Sequence, residues 1–538
     1  MKRVAIDLTP LLPGGDNGGA KPLAIELIRH LARVAPACEF ILLTNEKSHE
    51  ELRLLDAPNV QRLCAAKPQN AAALSLRMSL RARRLLLRFL PDSALQQLAR
   101  LYSALFPAAP PRTSLLRQVG ADLLFCPFTG ILFFDPSVPV VSLVHDLQYL
   151  CYPEFFPSEV RQERDRHFRQ VCRLAGRLIC VSEFTRASVL QNSDLPPERV
   201  IAIPSSPQHR LPAPAPAVPA RLGLVPGRYL LYPANFWRHK NHELLLTAFG
   251  IYRAAHPSSD LQLVLTGAPG EPRDQLIAAT RRMGLAESVV FPGFLPDDEF
   301  AALLTGCAAM LFPSLFEGFG MPVLEAMAAG VPVLCSNLTS LPEVAGDAAL
   351  LFDPRRPAEI AGAIARLEAD PQLRRTLAEK GRQHLRSLPE PAQMAARYLQ
   401  VFEDLLTHPA ETATAVYGVF PDGWTSGRVI VVFGAGAEPR RLTVTLKAPE
   451  WLPAEAVSIR VLPGAEVHRI PRGSEKAFTR ELPGGAPGTI EFCCSPTFQP
   501  SQCGGGDDHR SLGCLLESAT IFGPGGDAQQ LPTHADAA

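Results

Sequence analysis

Short apolar or β-branched runs alternate with helix-length amphipathic stretches over the first two hundred residues. A run at 3–8 is followed by a stretch at 21–34 with apolar residues at helical spacing, then by a run at 40–44. The alternation resumes with runs at 122–126 and 140–144, a charged helix across 159–174, and runs at 178–181 and 200–203. Strand and helix in turn predict a parallel sheet flanked by helices. Residues 1–206 therefore read as one Rossmann-like α/β domain, interrupted by a helical insertion at 66–111.

From 204 to 226 the chain carries seven prolines, which removes amide donors and stiffens it, so 207–227 reads as a linker. A second α/β series follows. Strands are predicted at 229–232, 261–266, 289–291, 309–312 and 331–335, with helices at 243–253, 274–283, 297–304 and 322–329, and a closing helix at 391–406. Residues 228–410 thus form a second doubly wound domain. Two such domains leave a cleft where the carboxyl ends of their strands can face one ligand. Beyond 411 the period drops to two, with Pro/Gly turns between runs such as RVIVVFG and LTVTLKAP, which predicts a small antiparallel β-sandwich at 411–522. The remainder, 523–538, is poor in apolar residues and reads as a disordered tail.

Composition narrows the classes. Lys+Arg 53 balances Asp+Glu 53, so no global charge draws the chain to nucleic acid. The twelve cysteines fall mostly inside apolar runs, as core thiols in a reducing compartment would. Cys493, Cys494, Cys503 and Cys514 lack the paired spacing of a zinc site, so no metal is expected. Met1-Lys2-Arg3 imitates a secretory start, but the apolar run breaks at Asp7. No apolar window of about 18 residues is free of charge, so no membrane span is expected.

The sharpest chemical signal is LFPSLFEGFGMPVLEAMAAGVPVL. A strand ends at Phe312, a glycine loop follows, and Pro322 can open a helix, where its missing amide is no loss. Amides of Gly318, Phe319, Gly320, Met321 and Val323 would then point out of the helix start, a setting that attracts phosphate. Glu317 and Glu325 bracket the loop, and each carboxylate can accept two sugar hydroxyls. In YPANFWRHKNHELLLTAF, Lys240 precedes a helix, where its amine can neutralise a departing diphosphate. In SLVHDLQYL, His145 and Asp146 sit at a strand end facing the cleft. The loop LTPLLPGGDNGGAK supplies Gly14, Gly15, Gly18 and Gly19, which permit close backbone approach to a ligand.

These motifs resemble those of retaining glycosyltransferases of the GT-B fold, the large family 4 group, over about 400 residues. The resemblance implies that Glu317 lies against the transferred sugar, that Glu325 binds the nucleotide ribose, and that His145 approaches the sugar through side chain or main chain. It places the glycine loop beside the diphosphate and acceptor. The family commonly carries an arginine five residues before the lysine, yet this chain has Asn235 there. Arg238 or His239 would have to substitute. The implied reaction moves a hexose from a nucleoside diphosphate sugar to a glycan or lipid-linked saccharide, without cofactor. GDP-mannose is the first choice of donor, because the HDL and HKN segments look like those of mannosyltransferases. The competing readings are a non-catalytic glycan-binding scaffold and a sugar-nucleotide epimerase.

In the insertion, Arg77, Arg81, Arg84 and Arg88 would form one helical stripe. It could meet an anionic membrane, placing the protein in the cytoplasm on the inner face of the plasma membrane, or be the wet face of a packed helix. The segment around Asp508, Arg510 and Gly513 is similar to a β-sandwich appendage of some bacterial polysaccharide glycosyltransferases.

Overall fold

The computed structural model describes residues 2–13, 18–66, 115–135, 137–206, 212–408, 414–420, 422–434, 436–452, 454–464, 466–484, 488–499 and 512–535. Gly14, Gly15, the Arg77/Arg81/Arg84/Arg88 stripe, Cys503, Asp508 and Arg510 lie outside the described residues.

The first domain is a seven-stranded parallel sheet. Its strands are β1 (Arg3–Asp7), β2 (Glu39–Asn45), β3 (Val60–Ala66), β4 (Leu123–Cys126), β5 (Val140–Val144), β6 (Arg177–Cys180) and β7 (Val200–Ala202). They lie in the order β3-β2-β1-β4-β5-β6-β7. The central strands β4 and β5 are buried at every position, as sheets covered by helices on both faces require. The second domain has β8 (Tyr229–Pro233), β9 (Gln262–Thr266), β10 (Val289–Gly293), β11 (Ala309–Phe312), β12 (Val333–Ser336) and β13 (Ala349–Phe352), ordered β10-β9-β8-β11-β12-β13. Strand order reverses between β1 and β4 in one sheet and between β8 and β11 in the other. Ligand crevices form at such reversals. The fold is GT-B.

Two boundaries differ from the sequence reading. The helix Pro391–Thr407 closes the second domain in sequence but packs into the first: Met394, Tyr398, Phe402 and Leu405 join its core. Phe402 and Tyr398 meet Phe125 with ring centroids 5.3 and 5.8 Å apart. Burying one such ring is worth roughly 1.5–3 kcal/mol. The apolar stripe shows a partner is needed but cannot say which sheet supplies it. The second half of the linker is likewise committed, since Val218 and Leu224 enter the second domain's core. At the two crossings between domains, Ser206 Oγ donates to the Pro389 carbonyl at 2.6 Å, and the Ser206 amide lies 3.4 Å from Met394 Sδ.

The C-terminal region forms two facing sheets around one core. Six strands run in the spatial order Val467–Pro471, Ala456–Leu462, Gly488–Ser495, Thr425–Phe433, Ala415–Val419, Thr533–Ala535. Four run Glu475–Leu482, Arg440–Lys447, Leu515–Phe522, Ala528–Gln530. The residues read as a disordered tail are thus in part strands. Ala528–Gln530 pairs antiparallel with Leu515–Phe522, and Thr533–Ala535 pairs parallel with Ala415–Val419. Backbone pairing at a sheet edge needs little apolar side chain, and buried Leu531 anchors the turn between the two.

This unit is fixed to the first domain by charge. The fully buried Asp135 accepts from Arg117 at 2.8 and 3.0 Å, and Arg117 also pairs with Glu491 at 2.9 Å. Arg428 donates to Glu491 at 2.7 and 2.9 Å, and Phe134 meets Tyr417 at 5.2 Å. Asp135 and Arg117 lie beside the starts of β5 and β4, the edge opposite the cleft.

Candidate functional site

Every loop singled out in the second domain leaves a strand at the β8/β11 reversal. After β8, residues 235–241 carry Asn235, Arg238 and Lys240. After β11, residues 313–320 lead into the helix Met321–Ala328. That helix begins after Gly320, whose φ of 107° suits glycine, and Pro322 occupies its first turn. Among the described residues, the amides of Gly318, Phe319, Gly320 and Met321 take no protein acceptor. Val323 differs from expectation, because its amide already donates to the Gly320 carbonyl at 3.0 Å. A tight turn at the glycine uses that group locally.

Lys240 and Glu317 come together. Lys240 Nζ donates to Glu317 Oε1 at 2.5 Å, both side chains being 13% exposed, and the ammonium lies 5.3 Å from the Phe312 ring centroid. The flanking backbone is fixed: Tyr232 OH donates to the Lys240 carbonyl at 2.8 Å, and Asn241 Nδ2 donates to the Pro313 and Pro354 carbonyls at 3.1 and 2.8 Å. The Glu317 amide donates to Thr339 Oγ1 at 3.1 Å, and Ser340 Oγ lies 2.9 Å from both the Glu317 and Phe319 carbonyls. Glu325 is buried one turn into the helix.

Asn235 and Arg238 are used otherwise. Asn235 Oδ1 accepts from the Ala268 amide at 3.0 Å, shaping the loop after β9. Arg238 reaches across the cleft, donating to the Glu154 carbonyl at 3.3 Å and lying 5.7 Å from the Phe155 ring centroid. Neither joins Lys240 at Glu317. His239 and His242 are both neutral in the fold. Burial, with the charge of Lys240 second, pushes each pKa down to about 3. His242 is held between the Tyr232 and Phe236 rings.

The first domain closes the other wall. His145 follows β5, and its Nε2 donates to the Pro127 carbonyl at 2.8 Å. That bond fixes the neutral tautomer, leaving Nδ1 as an acceptor. Burial lowers the His145 pKa, opposed by the Pro127 bond and by Asp146. Its main-chain carbonyl faces Gly318 so closely that a Cβ there would lie 1.9 Å from the oxygen. Gly18 sits against Trp237, and Gly19 precedes the helix Ala20–Val34. The root of the glycine loop is braced by Asp7 on Thr9, by Asn45 Nδ2 on the Thr9 and Leu11 carbonyls, and by Lys21 Nζ on the Leu12 carbonyl at 3.0 Å.

Sequence reasoning missed Ser182, Thr185, Thr339, Ser340 and Glu343. Ser182 Oγ donates to the Gly318 carbonyl at 2.6 Å, and Thr185 Oγ1 to the same oxygen at 3.2 Å. A signal existed in VSEFTR, where a serine between a strand and a helix marks a cap. Ser182 indeed accepts from the Thr185 amide. Cys493, Cys494 and Cys514 are buried free thiols.

Comparison with known proteins matches both walls. Residues 222–384 match the family model described as Glycosyl transferases group 1, and residues 93–206 match Glycosyltransferase Family 4. O-antigen chain mannosyltransferase B of Escherichia coli is 32% identical over 227 residues, 40% of this chain and 57% of that protein. The MMP alpha-(1->4)-mannosyltransferase of Mycolicibacterium hassiacum is 30% identical over 245 residues, 45% and 57% respectively. The chain thus spans little more than half the length of these relatives. Among solved structures, HepE of Anabaena in complex with UDP-glucose aligns with TM-score 0.54 at 17% identity, covering 75% of this chain and 100% of that one. Sucrose-phosphate synthase from Thermosynechococcus elongatus gives 0.53 at 21%, covering 76% and 100%. These two likenesses concern the fold.

Proposed function

We propose that the chain transfers a hexose from a nucleoside diphosphate sugar to a hydroxyl of a glycan or lipid-linked saccharide, with retention at the anomeric carbon, in cell-surface polysaccharide synthesis. The observation that carries this reading is the donor cradle: four amides with no protein acceptor among the described residues at a helix start, beside the Lys240–Glu317 pair, facing His145 across the cleft.

The diphosphate would sit on the amides of residues 318–321, where the helix dipole adds to their partial charges. Lys240 would turn from Glu317 to the β-phosphate as negative charge develops there, which stabilises the leaving group without proton transfer. Glu317, so freed, would accept hydroxyls of the transferred sugar, and Glu325 those of the ribose. Nδ1 of His145 would accept from the sugar on the opposite wall. Bringing donor and acceptor together in a closed cleft supplies much of the rate by orientation. The names of the Escherichia coli and Mycolicibacterium relatives support mannose, hence GDP-mannose, as donor. No helix among the described residues is long and apolar enough to cross a membrane. The reading places the protein in the cytoplasm with its acceptor at the inner membrane face.

The test is release of GDP or UDP from a panel of sugar nucleotides with a competent acceptor, followed by anomeric analysis of the product. GDP-mannose should be the preferred donor and the anomeric configuration should be kept. No nucleotide release from any donor would end the enzymatic reading.

A further inference from the structure

Besides the Arg238–Glu154 bond and the approach of Gly318 to His145, the two walls of the cleft are joined at a further place. The first-domain helix Glu183–Gln191 follows β6 and points its amino end at the second domain. Its first amides are orphan donors, as at any helix start. Ser182 caps one of them by accepting from the Thr185 amide at 3.0 Å. Two others are satisfied from across the cleft: the Glu183 amide donates to Glu343 Oε1 at 2.8 Å, and the Phe184 amide donates to Glu343 Oε2 at 3.1 Å.

Glu343 lies in the short helix Leu341–Ala345 of the second domain, directly after Thr339 and Ser340, which hold the backbone of Glu317 and Phe319. The Ser182 hydroxyl that caps the first-domain helix also holds the Gly318 carbonyl. Phe184 meets Phe316, just before Glu317, edge to face at 5.6 Å. One helix start therefore grips the donor loop at residues 316 and 318, and the segment bracing that loop returns a carboxylate to the helix start.

We propose that Glu343 is a positioning residue: its carboxylate, seated on the amino end of the Glu183–Gln191 helix, holds the domains in the closed arrangement that brings His145 to the donor loop. This rests on the transfer reading for its catalytic consequence, but not for the closure itself. A carboxylate at a helix start gains from both hydrogen bonds and the dipole. It can do so only while the cleft is shut, so the interaction favours the closed population. Glu343 is exposed, and replacing it leaves no buried cavity.

The test compares wild type with Glu343→Ala and Glu343→Gln in the full chain. Hydrogen exchange of the Glu183 and Phe184 amides in the ligand-free protein should be at least about tenfold faster in the alanine variant, the change that about 1.4 kcal/mol of lost closure would give. Solution scattering should report a larger radius of gyration. Glutamine keeps an acceptor oxygen without the charge and should fall between the two. With donor and acceptor present, kcat should fall about tenfold, while the dissociation constants of GDP and UDP, which report on the second domain, stay within about twofold. Unchanged exchange at those amides overturns the latch. Faster exchange with wild-type kcat overturns its positioning role. If the wild type releases no nucleotide at all, the transfer reading fails, and exchange and scattering alone decide whether Glu343 holds the cleft shut.

Discussion

Gly318 offers the cleanest perturbation of the site. A Cβ on this residue would lie 1.9 Å from the His145 carbonyl oxygen, 2.9 Å from its carbon and 3.2 Å from Asp146 Cβ. The first two are backbone atoms at the end of β5, with no rotamer to escape into. Restoring an ordinary contact of about 3.4 Å requires the domains to part by about 1.5 Å at this point, a distance at which close-packed surfaces give little by compression. The Ser182 to Gly318 bond, 2.6 Å now, would be lost with it. Displacements of about 1 Å in a reacting geometry cost on the order of 100-fold. Gly318→Ala should therefore reduce transfer by about that factor or more. Among the described residues, the hydrophobic cores of the two domains are separate apart from Phe319, which packs against both, so thermal stability should change little. The assay is turnover under saturating donor, with nucleotide affinity measured in parallel to show that the second domain still binds. Wild-type turnover in Gly318→Ala would refute the claim that the reaction needs the cleft this tightly closed.

Two further outcomes follow from charge. Glu491→Ala removes the shared acceptor of Arg117 and Arg428, leaving both guanidiniums on Asp135. Breaking such a pair costs about 3–5 kcal/mol when fully buried and less here, because both arginines are partly exposed. Calorimetry should show the C-terminal sheets uncoupling from the first domain, and an unchanged unfolding profile would count against the network. His242 has a pKa pushed down to about 3 by burial, from an ordinary 6.5. The unfolded chain therefore binds the extra proton first, so this contribution is complete above about pH 6.5 and declines as pH falls toward 3. His242→Phe, which keeps a ring between Tyr232 and Phe236, should flatten the acid limb of a denaturation profile between those values, whereas an unaltered limb would deny His242 its part.

Much of this was legible because each domain repeats one rule. The period changes at 3–8, 40–44, 229–232 and 309–312 mark the strands of the two sheets, and the glycine and proline of GFGMP mark where a helix can begin. What the sequence withheld were the partners. Lys240 and Glu317 are 77 positions apart, and no local pattern pairs them. The bonds of Ser182 and Thr185 to Gly318, and of Glu343 to the helix start, cross the cleft, so they depend on how the domains face each other. Arg238 sits beside Lys240 in the chain yet turns to the opposite wall. The strands at 528–530 and 533–535 were hidden because edge pairing leaves little mark on side-chain choice.

The Ser206 to Pro389 bond ties together the outgoing and returning crossings of the main chain. Two tethers pinned at one spot behave like the jamb of a door. The far body can swing about that line but cannot slide away from it, and travel grows with distance from the pivot. A small angular play there is felt least beside Ser206 and most at the part of the cleft farthest from it. Slackening the pivot, rather than altering that far part, is how this chain would trade a narrow swing for a wide one.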